Sequence, residues 1–429
     1  VMVISVVSGG PSEKLGIIPG DRIIKVNDSL IAGVGLGSDK VVGMLRGDMG
    51  TKVKVGVLRR DRPELIDFEI TRGSIPVYSV DVSYMITDSI GYIKVSRFGR
   101  NTYQEFLTAL ARLKAYNCQS LVVDLRGNSG GYLDIAISMT NEFLNKGDLI
   151  VYTEGKSSPR QDVFANGLGS CRDIRLTVLI DEFSASASEI FAGAIQDNDR
   201  GLLVGRRSFG KGLVQQQIAL PDGSAIRLTV ARYFTPSGRG IQKPYENGVE
   251  DYHLDILSRF EHGEFYEADS IEFDKSLEFS TVNGRRVFGG GGVMPDVFVP
   301  RDTTAFSDYY FEIRDKGVLY QYALKYADDN RIQLQRFETA EALKTHLDQQ
   351  ALIEDMVRFA GSQGVEFNTN DFNRSKKLME VELKAYIARN ILDNDGFYPI
   401  IGGIDEVLKM AIQEIQAGHD IQQFSESEK

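Results

Sequence analysis

The chain has few of the residues that hold metals or cross-link small folds. It contains two cysteines, Cys118 and Cys171, and four histidines among 429 residues. Two cysteines are too few for a disulfide framework or a cysteine-rich metal site. They are compatible with one disulfide in an oxidising compartment and equally with two unpaired thiols. The histidines have no metal-ligand spacing, so the sequence predicts no metal centre.

Long apolar runs and an excess of positive charge are also missing. No run of about 18 apolar residues occurs, so no membrane-spanning segment is predicted. The net charge is −11, which argues against nucleic-acid binding as the main function. Apolar and charged residues make up 42% and 25% of the chain, as in soluble globular proteins. The length predicts about two to four domains.

The beginning of the chain has no initiator methionine and no targeting pattern. It opens with VMVISVV (1–7), whose apolar β-branched residues predict a strand. We therefore expect that a natural N-terminal segment, with any targeting signal, precedes Val1.

Residues 1–73 have the pattern of a small β-rich domain. Apolar and polar residues alternate in TKVKVGVLR (51–59) and LIDFEITRG (65–73), as in half-buried strands. The stretches GGPSEKLGIIPGDRIIKVND (9–28) and MLRGDMGTKVKVGVLRR (44–60) resemble a PDZ domain whose N-terminal part is missing. The resemblance implies that the domain binds an extended peptide, often a C-terminal tail, as an added strand.

Predicted strands and helices alternate from residue 74 to residue 301. Apolar strands such as SLVVD (120–124) and RLTVLI (175–180) are separated by amphipathic helices over 101–116 and 132–144. This order predicts an α/β core with a largely parallel sheet. Residues 246–288 are polar and weakly patterned, and are predicted to be an insertion. Helical patterns over 302–429 predict a helical C-terminal module.

Three serines occupy alternate positions in DEFSASASEI (181–190), between an apolar strand and a predicted helix. A serine at such a junction lies near helix N–H groups, which favour a developing negative charge. Strand–nucleophile–helix turns of other hydrolases use this geometry. The alternative is an N-cap, because Ser186 and Glu189 have the spacing of a capping box.

Two further stretches could supply a base and oxyanion donors for this serine. Lys211 lies between glycines in FGKGLVQ (209–215), and a lysine replaces the usual histidine base in several serine peptidases. Such a lysine must be neutral, a form that burial favours; the alternative is a solvated loop lysine. The turn LRGNSGG (125–131) offers backbone N–H groups for an oxyanion. The alternative is an ordinary glycine-rich turn. Phosphate binding is not indicated, because the stretch matches neither G-x-x-x-x-G-K-[ST] nor G-x-G-x-x-G.

Taken in order, DLRGNSGG, SASASEIFAGAIQD, VGRRSFGKGLVQ and GGVMPDV resemble the C-terminal processing peptidases, or tail-specific proteases. The resemblance runs from the PDZ-like segment to about residue 300. It implies Ser186 as nucleophile, Lys211 as general base and Gln215 as a residue that supports the lysine. It also implies an oxyanion hole formed by the N–H groups of Ala187 and Gly130.

Other features of this region follow from the same resemblance. Ser184 and Ser188 are expected to be structural, and Ser129 stands where the family usually has proline. The implied fold class is α/β multidomain: a truncated PDZ-like domain (1–73), a Clp protease/crotonase-like peptidase core (74–301) and the helical module (302–429).

The implied activity is that of a serine endopeptidase that needs no metal, nucleotide or organic cofactor. Protein substrates would be bound by their C-terminal tails at the PDZ-like domain, which could also gate the site. A homo-oligomer or an adaptor protein and a location in the bacterial periplasm or cell envelope are expected. Alternatives are a crotonase-like acyl-CoA enzyme, a catalytically inactive PDZ-bearing adaptor, and a Ser–His peptidase that uses His253.

Overall fold

The computed structural model describes residues 1–60, 62–245, 248–271 and 274–418. The chain forms two compact units: Val1–Val77 with Thr304–Ile404, and Tyr78–Thr303 with the segment from Asp405. The first unit thus joins the beginning of the chain to most of the predicted helical module, whose residues 419–429 lie outside the described part. The division into domains at 1–73, 74–301 and 302–429 stays a prediction.

Residues 1–77 form a four-stranded antiparallel sheet with two helices. The elements are α1 (Pro11–Lys14), β1 (Arg22–Val26), β2 (Ser29–Leu30), α2 (Ser38–Leu45), β3 (Lys52–Leu58) and β4 (Ile66–Thr71), with the strand order β2-β1-β3-β4. The alternation in β3 buries Val53, Val55 and Val57. The predicted half-buried strands are therefore confirmed.

The predicted strand over residues 1–7 is wrong. Only Met2 forms a β-bridge, with Arg22. The first residues do lie along the start of β1, since Ile23 N–H donates to Val1 O at 2.9 Å and Val3 N–H donates to Asp21 O at 2.8 Å. Val7 has no such neighbour and is exposed, so its β-branched side chain alone does not make a strand.

The second unit is built on a six-stranded sheet with helices. Its helices are α3 (Thr102–Ala115), α4 (Leu133–Asn141), α5 (Ala187–Asp197) and α6 (Val249–Glu261), with short 3-10 helices at Ala268–Ser270 and Lys275–Leu277. Its strands are β5 (Val80–Met85), β6 (Ile90–Val95), β7 (Ser120–Asp124), β8 (Leu149–Gly155), β9 (Ser158–Phe164), β10 (Arg175–Ile180), β11 (Leu202–Gly205), β12 (Leu213–Ala219), β13 (Ala225–Phe234), β14 (Glu278–Ser280), β15 (Arg286–Phe288) and β16 (Val297–Phe298).

The strand order in this sheet decides where a site can form. The order is β16-β11-β10-β7-β6-β5, and all neighbours except β5 and β6 pair in parallel. All five residues of β7 are buried, as expected for a parallel strand covered on both faces. Because parallel strands end at the same edge, the turns that follow β7, β10 and β11 meet there.

The other strands form a second, antiparallel sheet of order β12-β13-β8-β9 and the small hairpin β14–β15. Strand β12 starts two residues after Lys211 and lies at the edge of its sheet. The predicted insertion over 246–288 contributes α6 and this hairpin.

The helices after residue 303 confirm the predicted helical region. They are α7 (Asp308–Asp315), α8 (Val318–Asp329), α9 (Arg331–Leu334), α10 (Ala340–Leu347), α11 (Leu352–Ser362), α12 (Thr369–Ile401), a 3-10 turn at Gly402–Ile404, and α13 (Glu406–Ala417). Asp393 interrupts α12 with φ 50°. Helix α13 belongs to the second unit, where it packs against β10 and β11.

Candidate active site

Ser186 lies at the turn between β10 and α5, with φ 57° and ψ −113°. Positive φ is unfavourable for a residue with a Cβ, and such strain persists only where the surrounding structure enforces it. Strained residues of this kind cluster at functional sites. The side chain is half-buried, so part of its surface is accessible to a ligand.

The two flanking serines join this turn to the glycine-rich turn after β7. Ser184 Oγ donates to Leu125 O at 2.9 Å, and Ser188 Oγ donates to Asn128 O at 2.8 Å. Both serines are fully buried. The hydroxyl of Ser186 makes neither of these contacts. The expectation that the flanking serines are structural is confirmed.

Glu189 holds the serine turn and the lysine loop together. Its Oε2 accepts the backbone N–H of Ser186 and of Lys211, each at 2.8 Å. Its Oε1 accepts Ser208 Oγ at 2.6 Å and Gly210 N–H at 2.7 Å. Burial raises the pKa of this carboxyl, although the four donors oppose the rise. The backbone nitrogens of Ser186 and Lys211 thus lie within two hydrogen-bond lengths of each other.

Gly130 lies directly against the serine turn. With φ 102°, a Cβ at this position would lie 2.7 Å from Ser186 Cβ and 3.0 Å from Ala187 N, so a side chain has no room. The Gly130 N–H donates to Asn128 Oδ1 at 2.9 Å. In the part of the chain that the structure describes, the Ala187 N–H has no acceptor. The structure therefore brings both expected oxyanion residues beside Ser186, with one N–H already bonded.

Lys211 and Gln215 line one cleft, of about 1670 Å³, together with Ser129 and Ala185 of the other two turns. Lys211 is half-buried, and Gln215 is exposed on β12. The cleft therefore contains residues from all three predicted stretches, because the strands that precede them end at one edge of the sheet.

A second lysine in the same cleft was not predicted from the sequence. Lys243 is buried, and its Nζ lies 2.9 Å from Asp255 Oδ2. The same nitrogen lies 4.0 Å from the ring centroid of Phe209 and 4.4 Å from that of Tyr252. Burial lowers the pKa of Lys243, and Asp255 opposes that change. No sequence signal identified it, since Asp255 and Tyr252 come from the predicted insertion.

The glycine-rich turn is anchored by charged groups at its start. Arg126 Nη2 lies 2.6 Å from Asp124 Oδ2 and 2.6 Å from Asp405 Oδ2. Burial alone would raise the pKa of Asp124, but the charges of Arg126 and Lys94 outweigh it and hold the pKa well below its usual range. Gly127 N–H donates to Asp181 Oδ1 at 2.9 Å. Sequence reasoning missed the roles of Asp181 and Asp405.

The predictions on cysteines, on His253 and on membrane-spanning segments can be compared with the structure. Cys118 and Cys171 are unpaired, which is the second of the two alternatives. The side chain of His253 lies outside the described residues, as does the Ser–His alternative that depends on it. Among the described residues, no helix is both long and apolar enough to cross a membrane.

Known families match three parts of the chain. Peptidase family S41 matches residues 89–252, which contain the serine turn, the lysine loop and the glycine-rich turn. A PDZ domain matches residues 2–59, and a family of unknown function, DUF8443, matches residues 309–393. The predicted α/β multidomain fold, with its PDZ domain and helical C-terminal region, is confirmed.

The chain is similar to bacterial processing proteases. It is 38% identical over 247 residues to the carboxy-terminal-processing protease of Bartonella bacilliformis, covering 56% of each chain. It is 36% identical over 247 residues to the carboxy-terminal processing protease CtpA of Bacillus subtilis, covering 57% of this chain and 51% of that protein. The chain thus spans about half the length of these curated relatives.

A solved structure, the photosystem II D1 C-terminal processing protease, is 26% identical, with a TM-score of 0.39. The match covers 71% of this chain and 69% of that one.

Proposed function

We propose that the chain is a serine endopeptidase of the C-terminal processing type, with Ser186 as nucleophile and Lys211 as general base. The observation that carries the proposal is the pair of 2.8 Å hydrogen bonds from Ser186 N–H and Lys211 N–H to one oxygen of Glu189. This shared acceptor fixes the two backbones beside each other. A nucleophile and its base exchange a proton within hydrogen-bond reach, and neighbouring backbones favour that approach.

The proton transfers of the proposed reaction run between Ser186, Lys211, the substrate and water. The neutral amine of Lys211 takes the hydroxyl proton as Ser186 Oγ bonds to the peptide carbonyl carbon. The tetrahedral intermediate breaks its C–N bond, and the leaving amine takes the proton back from Lys211. Water then hydrolyses the acyl-serine by the same proton route. No metal, nucleotide or organic cofactor takes part.

The oxyanion is proposed to bind to the N–H groups of Ala187 and Gly130. The Ala187 N–H is available, since the described residues offer it no acceptor. The Gly130 N–H is bonded to Asn128 Oδ1, so it must be released or shared when the oxyanion forms. A donor placed at an oxyanion contributes about 10²–10³-fold to the rate.

The two lysines of the cleft have different proposed roles. Lys243 is paired with Asp255 and lies against two aromatic rings, contacts that favour its charged form. Lys211 is proposed as the base because its backbone N–H and that of Ser186 share one oxygen of Glu189. Gln215, on the strand that follows Lys211, is proposed to orient its amine.

The PDZ domain is proposed to bind C-terminal tails of protein substrates as an added strand, and to gate the site. Further proposals are an oligomer or an adaptor as partner and a location in the bacterial periplasm or cell envelope. These rest on the resemblance to the C-terminal processing peptidases alone.

The test is proteolysis of β-casein and fluorophosphonate labelling by wild type, Ser186→Ala and Lys211→Ala. Matched controls are Ser157→Ala and Lys146→Ala, at two exposed positions. We expect cleavage and labelling by the wild type and both controls, and neither by the two site variants. Equal cleavage by all five proteins would refute the assignment. Absence of labelling in the wild type, with acyl-CoA binding, would favour the crotonase-like alternative.

A further inference from the structure

One wall of the cleft is built by residues that follow the S41 match. That match ends at residue 252, whereas Leu277 and Phe279 line the same cleft as Lys211. Both lie in the 246–288 stretch that the sequence predicts to be an insertion. This wall therefore lies outside the residues that the family model matches.

The wall is fixed to the body of the second unit. Gly289 N–H donates to Leu277 O at 2.9 Å, and Phe279 lies in β14, paired with β15. Just before β15, the buried Arg285 lies 2.6 Å from Asp296 Oδ1. A buried ion pair of this kind holds its segment in one position, so the two side chains lie at the cleft without rearrangement.

Two glycines let the wall pack closely on the backbone beside it. A Cβ on Gly289 would lie 3.2 Å from the ring of Phe279, and a Cβ on Gly290 would lie 2.5 Å from Leu277 Cδ1, so neither position has room for a side chain. Both glycines and Gly238 line the cleft. Leu277 and Phe279 thus lie directly on glycine backbone and border a recess of the cleft.

The recess is apolar and remains partly open. Phe234 also lines the cleft, and its ring stacks on Tyr152 with centroids 4.8 Å apart. Leu277, Phe279 and Phe234 are each half-buried. Their remaining accessible surface is apolar, so covering it with another apolar group is favourable.

We propose that Leu277, Phe279 and Phe234 form a subsite for one large apolar side chain of the peptide substrate. The occupant is inferred from the proposed function, since a peptide attacked by Ser186 must run through this cleft. An apolar pocket discriminates between side chains that differ by a methylene by about tenfold to 200-fold. Selectivity would therefore be determined here by a segment outside the family match.

The kinetic test uses short quenched fluorescent peptides that differ at one residue, which is leucine, alanine or serine and is placed at each position in turn. At one position the wild type should prefer leucine by about tenfold or more in kcat/KM. The double variant Leu277→Ala, Phe279→Ala should lose most of this ratio. Phe279→Trp, which narrows the recess, should shift the preference from leucine towards alanine.

The matched control is Val282→Ala in the same hairpin, where the side chain is 73% exposed and does not line the cleft. It should keep the leucine preference. An unchanged ratio in the double variant and in Phe279→Trp would overturn the subsite.

A binding measurement separates this inference from the proposed function. The same peptides are titrated into Ser186→Ala and into Ser186→Ala with the double substitution, and binding is followed by fluorescence anisotropy. Preference for leucine in the first protein and its loss in the second support the subsite, even if the wild type cleaves nothing and the proposed peptidase activity fails. Equal binding of the leucine and serine peptides to Ser186→Ala overturns the subsite.

Discussion

Glu189 is the residue on which the geometry of the site depends most. Its two oxygens accept four donors, two of them the backbone N–H groups of Ser186 and Lys211. A glutamine of equal size has one accepting oxygen and an NH₂ group. Two of the four donors would then face another donor, so the substitution removes bonds without changing the shape of the side chain.

We therefore expect Glu189→Gln to lower the free energy of unfolding by about 2–5 kcal/mol, because two buried donors lose their acceptor. Fluorophosphonate labelling of Ser186 should fall with it. Urea unfolding and labelling of the purified variant measure both effects. Glu261→Gln, at an exposed position, is the control and should match the wild type. Wild-type stability and labelling in Glu189→Gln would contradict this account.

Asp124 makes the free energy of unfolding depend on pH, and the groups around it determine the direction of that dependence. Burial opposes ionisation, but Arg126 and Lys94 hold its pKa below the usual range. The unfolded-state pKa is about 3.9. The ionised carboxylate therefore stabilises the native chain above that pH, and this contribution is lost as the pH falls towards the folded-state pKa.

Asp124→Asn should lower the free energy of unfolding by about 3–5 kcal/mol at neutral pH, since it removes the buried carboxylate that pairs with the half-buried Arg126. The difference in free energy of unfolding between this variant and the wild type should become smaller as the pH falls below about 4. Urea unfolding at a series of pH values measures it. Asp88→Asn, at an exposed position, should show no such trend. A difference that is independent of pH would argue against the assigned ionisation.

At the scale of elements, helix α6 and the loop before Lys211 form one assembly. Arg259 of α6 donates to Ser208 O at 3.0 Å and to Arg207 O at 2.8 Å, and it pairs with Glu264. Residues 246–288, which the sequence indicates only as an insertion, thus contribute hydrogen bonds that hold the loop before Lys211, the proposed base.

Arg259→Lys should lower kcat of the proposed peptidase by roughly tenfold, because a small displacement of a positioned catalytic group is costly. A lysine cannot bond both carbonyls with the geometry of a guanidinium. KM should change little, because the cleft lining does not include Arg259. Steady-state kinetics with a pH–rate profile test this, with the exposed Arg172→Ala as control. A rise in KM at constant kcat would assign Arg259 to substrate binding instead.

At the scale of the whole molecule, the chain returns to the second unit after its excursion into the first. Asp405 pairs with Arg126, and α13 then buries Leu408, Ala411 and Ile415. Arg175 of β10 also donates to Ile415 O at 2.8 Å. The last described helix is thus part of the unit that carries the site, although the sequence groups it with the helices before it.

A chain that ends at residue 404 should therefore lose about 3 kcal/mol or more of the free energy of unfolding of the second unit, since the apolar residues of β10 and β11 that α13 covers become exposed. Urea unfolding followed by labelling of Ser186 measures this loss. A chain that ends at Gly418 keeps every contact of α13 described above and should unfold as the full chain does. An unchanged transition in the shorter chain would show that α13 is dispensable.

The sequence by itself determined the local structure and the order of the motifs. Period-2 alternation in β3 and the apolar runs of β7 and β10 depend only on which face of a strand is buried, so they are legible without the fold. Strand-then-helix order likewise indicated the parallel sheet, and hence the meeting of three turns at one edge. Ser186 and Lys211 were selected because their turns have recognisable composition. Their shared chemistry stays a prediction.

Only the tertiary structure decided what surrounds these residues. Glu189 was legible as a capping-box residue, but its bonds to Gly210 and Lys211 join segments 21 and 22 residues away. Arg126 and Asp405 are 279 residues apart, and Leu277 reaches the cleft through a hairpin with weak sequence pattern. Periodicity records local burial, whereas such pairings depend on how separate elements pack, and no local pattern specifies that packing.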